Sequence, residues 1–362
     1  MINERLCFPY KDDRKMLPEF VNSIIQIYNK IVDEESKDIF INRLLFSITG
    51  NHKYITNILL QTNGGKRISK LFDESERPIY IYGAGIRGKR LIELFPNSNW
   101  GGYIDANSSL TSYQGLKVLT LEQFMSYYVP GTIVVISNMA EIQKILDCLI
   151  KCNIKPEDIY ILNNFDEENA KNIYFLPDCI DIEKEKEKGF VDIGCYDGKD
   201  SLGYMERINN SNVKIYAFEP DINNYRVCKR NLGKYHNIEL FNLALSDVEN
   251  EIGIMEAGEM SCLSESGVLK VKAQLLDNII QDKQIGYIKM DVEGYEKNVI
   301  KGAKKVISSQ QPIMAVSIYH KKSDIWEIPE LLLQYNEHYC FYLRHYSASN
   351  GDTVLYAVDD RM

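Results

Sequence analysis

Residues 190–199 read Phe-Val-Asp-Ile-Gly-Cys-Tyr-Asp-Gly-Lys. The apolar start, Phe190 to Ile193, predicts a short buried strand, and Gly194 and Gly198 predict a tight turn. Lys199 to Ile208 follows with helical spacing. Strand, glycine turn and helix form the opening unit of a parallel sheet covered by helices. The pattern repeats downstream. Strands are predicted at 213–218, 238–243, 287–290 and 312–318, alternating with helices at 221–232, 296–307 and 325–335. Residues 251–276 read as strands inserted in the series, and 339–343 with 353–358 as a closing hairpin.

The charges around this first loop are acidic: Asp192, Asp197 and Asp200. They would repel a pyrophosphate, at about 1 kcal/mol per contact in water and ~4 at an effective dielectric of 20. They favour a cationic ligand. S-adenosylmethionine carries a sulfonium and an ammonium, and glycines let the backbone approach its methionine end. Asp192, Gly194, Asp197 and Gly198 are the candidates for that end. Glu219, in Ala217-Phe218-Glu219-Pro220, closes the second strand, where an acid can accept both ribose hydroxyls. Asp247, after the third strand, would flank the adenine. The fourth strand ends in Asp291-Val292-Glu293 at the carboxyl edge, where open α/β sheets bind ligands. Paired acids there can orient or deprotonate a hydroxyl, or hold a divalent metal. The alternative is that Glu293 and Glu296 only cap the next helix. His320 follows the fifth strand directly, and its ordinary pKa suits a general base near neutrality.

Working toward the N-terminus, a second strand–loop–helix begins at Pro78. Gly83-Ala84-Gly85-Ile86-Arg87-Gly88 matches G-x-G-x-x-G between a predicted strand and helix, with Asp105 placed where a ribose-binding acid would be expected. Backbone N–H groups and cations suit a phosphate. Gly83, Gly85, Arg87, Gly88 and Asp105 therefore mark a candidate nucleotide loop, for NAD(P) or a nucleotide-sugar. The alternative is that the glycines serve only the turn and the helix–strand packing. The region before it, residues 1–75, reads as helical, with Asn63-Gly64-Gly65 as a break. The stretch 166–188, ending in Glu183-Lys184-Glu185-Lys186-Glu187-Lys188, reads as a charged, solvated linker. The expected organisation is thus a helical segment (1–75), a small Rossmann-like unit (76–165), a linker (166–188) and a larger unit (189–362).

Composition limits the function classes. The 362 residues are 45% apolar and 26% charged, which excludes a disordered chain or a disulfide scaffold. Forty-two basic against 51 acidic residues give a net charge of −9, which argues against nucleic acid or an anionic membrane as partner. The eight cysteines form no C-x-x-C pair and read as buried thiols in a reducing compartment. No leader and no spanning run of ~18 apolar residues is predicted, so the expected location is the cytoplasm.

Taken together, V-D-I-G-x-x-x-G (191–198), A-F-E-P (217–220), L-A-L-S-D (243–247), Leu276-Asp277 and I-K-M-D-V-E-G-Y-E (288–296) resemble the FkbM-type methyltransferases. Lys301-Gly302-Ala303, Ile318-Tyr319-His320 and D-T-V-L-Y-A (352–357) fit the same pattern. Cys195-Tyr196-Asp197 departs from it, since the family often has small residues and Asn there. The resemblance, over residues 189–358, implies S-adenosylmethionine as cofactor and O-methylation of sugars, polyketides or glycans. It also implies a class I sheet of order 3-2-1-4-5-7-6 with the seventh strand antiparallel. Residues 78–162 resemble the NAD(P)-binding-like domain ahead of some such enzymes. The expected fold is α/β, with two tandem Rossmann-like units behind a helical N-terminal segment. The expected partner is a small-molecule or glycan acceptor. Rival readings are a nicotinamide-dependent oxidoreductase or epimerase using the Gly83–Gly88 loop, and a nucleotide-sugar-binding protein without turnover.

Overall fold

The computed structural model describes residues 16–138, 141–162, 173–176, 178–255, 262–263, 269–347 and 349–361. Contacts divide the chain into two units: Thr49–Lys171 with His345–Gly351, and Met1–Ile48 with Asn172–Arg344 and Asp352–Met362.

The smaller unit is built on β1 (Ile79–Tyr82), β2 (Trp100–Ile104), β3 (Ser112–Tyr113), β4 (Leu116–Leu119), β5 (Val134–Ile136) and β6 (Ile159–Ile161). Their order is β3-β4-β2-β1-β5-β6, parallel throughout except for β3 against β4. Tyr80, Ile104, Phe124, Val134, Ile136, Ile145 and Leu149 pack into its core. The helix after β5 runs Ile142–Lys151. Asn63-Gly64-Gly65 is the first turn of helix Asn63–Asp73, because the Thr62 hydroxyl accepts the Gly65 N–H at 2.9 Å.

The larger unit continues with β7 (Gly189–Ile193), β8 (Ile215–Phe218) and β9 (Ile238–Phe241). Next come β10 (Ala244–Leu245), β11 (Asn250–Met255), β12 (Cys262–Leu263) and β13 (Leu269–Gln274), a separate four-stranded sheet of order β10-β13-β11-β12. Finally β14 (Ile285–Met290), β15 (Ile313–Ser317), β16 (Tyr339–His345) and β17 (Thr353–Asp359) complete a seven-stranded sheet, β16-β17-β15-β14-β7-β8-β9. From β15 to β9 the ladder is parallel; β17 is antiparallel to β15. Every residue of β7, β8, β14 and β15 is buried, which is why these strands read as mainly apolar runs without alternation, interrupted by Asp192 in β7 and Lys289 in β14. Phe190 stacks on Tyr204 at 4.2 Å between centroids, and Tyr287 lies 5.6 Å from Tyr204.

Two expected boundaries are corrected. The helical region 1–75 does not act as one segment, since its division falls between Ile48 and Thr49. Helix Glu34–Thr49 belongs to the larger unit, where Ile31 bridges Phe341, Ser36 exchanges hydrogen bonds with Leu343, and Arg344 Nη2 lies 2.9 Å from Asp33 Oδ2. The linker 166–188 is solvated only in part where it is described: Glu183, Lys184, Lys186 and Glu187 are exposed. Tyr174, Phe175 and Leu176 are buried, and Glu185 is buried with Lys188 2.9 Å from it. Residues 163–172 and 177 lie outside the description.

Candidate functional site

At the carboxyl edge of the seven-stranded sheet, the ends of β7, β8 and β14 line a pocket. Gly194, Tyr196, Glu219, Asn224, Leu245, Asp291 and Glu293 are among its lining residues. Gly194 has φ +74°, and a Cβ there would lie 1.9 Å from the Asp291 carbonyl oxygen. Only glycine lets the loop cross the end of β14. Gly198, at φ +81°, begins helix Lys199–Arg207 away from the pocket lining, with the space for a Cβ taken by Leu232 at 2.7 Å.

Glu219 is 5% exposed. Its Oε2 accepts the Tyr196 N–H at 3.0 Å and its Oε1 the Asp221 N–H at 2.9 Å. Burial pushes its carboxyl up to about 7, against the pull of those two N–H groups. Each oxygen keeps a lone pair for a further donor. Ribose hydroxyls are donors of the required kind.

The loop acids behave differently from expectation. Asp192 is 0% exposed and does not line the pocket. Its Oδ1 lies 3.1 Å from Lys289 Nζ and its Oδ2 accepts the Ser201 hydroxyl at 2.7 Å. Asp200 Oδ2 lies 3.2 Å from the same ammonium, which also donates to the Gly194 carbonyl at 2.7 Å. Burial pulls the Lys289 pKa down, but Asp192, Asp200 and Asp291 outweigh it and hold the proton on. Asp197 is 2.7 Å from Lys199 Nζ, outside the pocket lining. Each loop carboxylate therefore has a lysine partner, and Asp192 and Asp197 brace the loop instead of facing the pocket. Asp247 is likewise turned away, accepting from Asn298 at 3.1 Å, so Leu243, Ala244 and Leu245 line the pocket in its place.

Asp291, Glu293 and His320 are brought together as expected from their positions. His320 Nε2 lies 3.5 Å from Asp291 Oδ1 and 3.4 Å from Glu293 Oε2; Nδ1 lies 2.8 Å from Glu296 Oε1. Burial lowers the imidazole pKa, but Glu296, Asp291 and Glu293 together push it up to about 9. The expectation of a His320 base titrating near neutrality is thereby corrected: three carboxylates hold it as the cation. Burial pushes Glu293 up to about 7, moderated by His320. Glu293 also has φ +52°, a strained conformation for a non-glycine residue that aims it at the pocket rim. Glu296 does cap, accepting the Val292 N–H at 3.1 Å and the Gly294 N–H at 3.3 Å.

Three participants escaped the sequence reading. Tyr174 donates its hydroxyl to Asp291 Oδ2 at 2.8 Å, sits 3.3 Å from the Ser317 hydroxyl, and places its ring 5.1 Å from Lys289 Nζ. The apolar run Ile173 to Leu176 was the available signal for it. For Lys289 the signal was one lysine inside a buried strand, which requires a counter-charge. Ser317 carried none. Cys195 and Cys228 are buried with sulfurs 3.2 Å apart, packed against Ala217 and Leu232, as small apolar side chains would be.

In the smaller unit, Gly83 has φ +107°, and a Cβ on Gly88 would lie 2.9 Å from Ile81 and 3.0 Å from the Gly83 carbonyl. Both glycines are needed for the turn and the helix–strand contact. Gly85 meets nothing within 4 Å. Arg87 is exposed in the first turn of helix Ile86–Leu94. Asp105 accepts the Ala84 N–H at 2.8 Å and the Asn107 N–H at 2.9 Å, so its carboxylate braces this loop.

The 2-O-methyltransferase NoeI of Sinorhizobium fredii is 29% identical over 143 residues, covering 33% of this chain. The chain spans 58% of NoeI's length. A structure of an FkbM methyltransferase from Methylobacillus flagellatus aligns with 84% of this chain and 97% of its own, at 15% identity and a TM-score of 0.48. The O-methyltransferase of Bacillus cereus in complex with SAH aligns with 60% of this chain and 90% of its own, at 11% identity and a TM-score of 0.35. The profile of the methyltransferase FkbM domain matches residues 192–346, a span that holds Glu219, Asp291, Glu293 and His320. Over that span the chain is similar to the methyltransferase FkbM domain.

Proposed function

We propose that the chain is an S-adenosylmethionine-dependent O-methyltransferase that methylates a hydroxyl of a sugar, glycan or secondary metabolite. The observation that carries this reading is Glu219. It closes the strand beside β7, each oxygen has a lone pair to spare, and it lies in one pocket with Asp291 and Glu293. Adenosine fits the Glu219 end, with Leu243 to Leu245 against the base and the hydroxyls on the carboxylate. The sulfonium then points toward the carboxylates of β14. The activated methyl needs alignment more than chemical assistance. Asp291 and Glu293 hold the acceptor hydroxyl in line, and a carboxylate receives its proton as the O–C bond forms and the methyl C–S bond breaks, its electron pair staying on sulfur in the S-adenosylhomocysteine that leaves. The NoeI name supports oxygen as the methylated atom. On this reading the sheet is a class I methyltransferase sheet, and both halves of the reaction belong to one edge of it. Among the described residues no helix is long and apolar enough to cross a membrane. A cytoplasmic location and a small-molecule or glycan acceptor complete the reading.

Calorimetry with S-adenosylmethionine tests it. Micromolar binding is expected, weakened about 10- to 100-fold in Glu219→Ala, the loss of one or two hydrogen bonds to a charged group. Equal affinity in that variant would overturn the assignment.

A further inference from the structure

Every charged residue in the lining of the pocket is an acid: Glu219 after β8, and Asp291 and Glu293 after β14. The cations stand behind them. The side chains of Lys289 and His320 are 3% and 8% exposed, and neither is part of the lining. Asp192, Asp200 and Asp291 act on Lys289, while Glu296, Asp291 and Glu293 act on His320. Asp291 is shared, so these two cations face five carboxylates, and Glu219 adds a sixth. The pocket wall is left with an excess of negative charge. It does not fit the divalent metal that its paired acids suggested. Asp291, Glu296 and His320 lie closest together there, but an imidazolium has no lone pair to give.

Glu293 is the acid of this wall held least by its neighbours. Glu219 accepts two backbone N–H groups and Asp291 accepts the Tyr174 hydroxyl. Glu293 has His320 Nε2 at 3.4 Å, and among the described residues its carboxylate accepts no hydrogen bond. Its φ is +52° and that of Gly294 is +93°. This left-handed pair brings the side chain to the rim, and such strain persists where the surrounding structure fixes a functional group.

We infer that Glu293 makes the pocket discriminate S-adenosylmethionine from S-adenosylhomocysteine, holding the charged cofactor and releasing the uncharged product. This rests on the methyl-transfer reading above. The two ligands differ by one methyl group and one positive charge. On transfer the methyl carbon leaves sulfur, the bonding pair stays on sulfur as a neutral thioether, and the acceptor's proton passes to a carboxylate. The acid wall thus loses the cation it attracted at each turnover. Charges ~4 Å apart at an effective dielectric of ~20 attract by more than twice the free energy of a tenfold preference, so the preference survives partial compensation by His320. An enzyme built this way keeps turning over as its product accumulates.

The test is calorimetry of the full chain with each of the two ligands at pH 8. There Glu293, pushed up to about 7, is ionised, and His320, pushed up to about 9, is still the cation. S-adenosylmethionine is expected to bind at least tenfold more tightly than S-adenosylhomocysteine. Glu293→Gln should weaken S-adenosylmethionine at least fivefold and leave S-adenosylhomocysteine within twofold, which also reports that the fold is intact. Glu293→Asp should restore most of the preference. A smaller ratio in the unmodified chain would overturn the inference. So would an unchanged ratio in Glu293→Gln, whether both affinities hold or both fall. Binding of both ligands without preference leaves the cofactor reading standing and removes this inference alone, whereas binding of neither removes both.

Discussion

Lys289 Nζ lies 3.1 Å from Asp192 Oδ1, with both side chains almost wholly out of solvent. This pair joins the two central strands of the sheet directly beneath the glycine loop. Removing one partner leaves a buried, uncompensated charge, which costs about 3–5 kcal/mol. Lys289→Met should therefore lower stability by about that amount in urea unfolding. Replacing both members, Lys289→Met with Asp192→Leu, should recover much of the loss. A double variant as unstable as the single one would count against the pair.

Glu219 gives the cofactor site a pH dependence. Its carboxyl is pushed up to about 7 by burial, and only the ionised form offers both oxygens to a diol. S-adenosylmethionine affinity should rise with pH up to about 7 and then level, falling about tenfold per unit below it. Glu219→Gln should bind weakly with a flat profile. The sign for stability is opposite. A carboxyl whose pKa is raised in the fold contributes stability that is fully present below its unfolded value and is lost as pH rises through about 7. Calorimetric titrations from pH 5.5 to 8.5 decide the first point.

Tyr174→Phe removes one hydroxyl and little else, since the Tyr174 N–H and carbonyl keep their partners Tyr356 and Tyr287. Asp291 then loses the donor that orients it. We expect turnover to drop about tenfold, a 1.4 kcal/mol effect, with cofactor affinity unchanged. A parallel loss of cofactor affinity would show that the hydroxyl supports the whole pocket.

Gly194→Ala places a methyl 1.9 Å from the Asp291 carbonyl, at a φ of +74°. The loop must move off β14, and cofactor binding should be abolished even where a folded protein is recovered. Retention of wild-type affinity, by calorimetry, would contradict the loop geometry.

These predictions divide along what the chain reveals before folding. The strand–glycine–helix units were legible because buried parallel strands write themselves as short apolar runs closed by glycine. The edge positions of Glu219, Asp291, Glu293 and His320 were legible for the same reason: each directly follows such a run. What a carboxylate faces was not legible. Asp192 and Glu219 sit at the ends of adjacent strands, yet one is turned to Lys289 and the other to the pocket. In a sheet buried on both faces, alternation carries no signal to separate them. The acidity of the loop was real, but its neutralisation by Lys289 and Lys199 depends on contacts across strands and turns. The division of the N-terminal helices at Ile48 was hidden too, because helical periodicity names an apolar face without naming what covers it.

The hydrogen bonds between Ser36 and Leu343 set a timetable for the ribosome. Synthesis at about 5–20 residues per second puts tens of seconds between the emergence of those two residues. All but seven residues of the smaller unit, Thr49–Lys171, emerge within that interval and can begin to collapse while the first helices wait with their apolar faces uncovered. The larger unit is thus finished from both directions in time: its sheet closes late, and helix Glu34–Thr49, made early, is among the last to be seated.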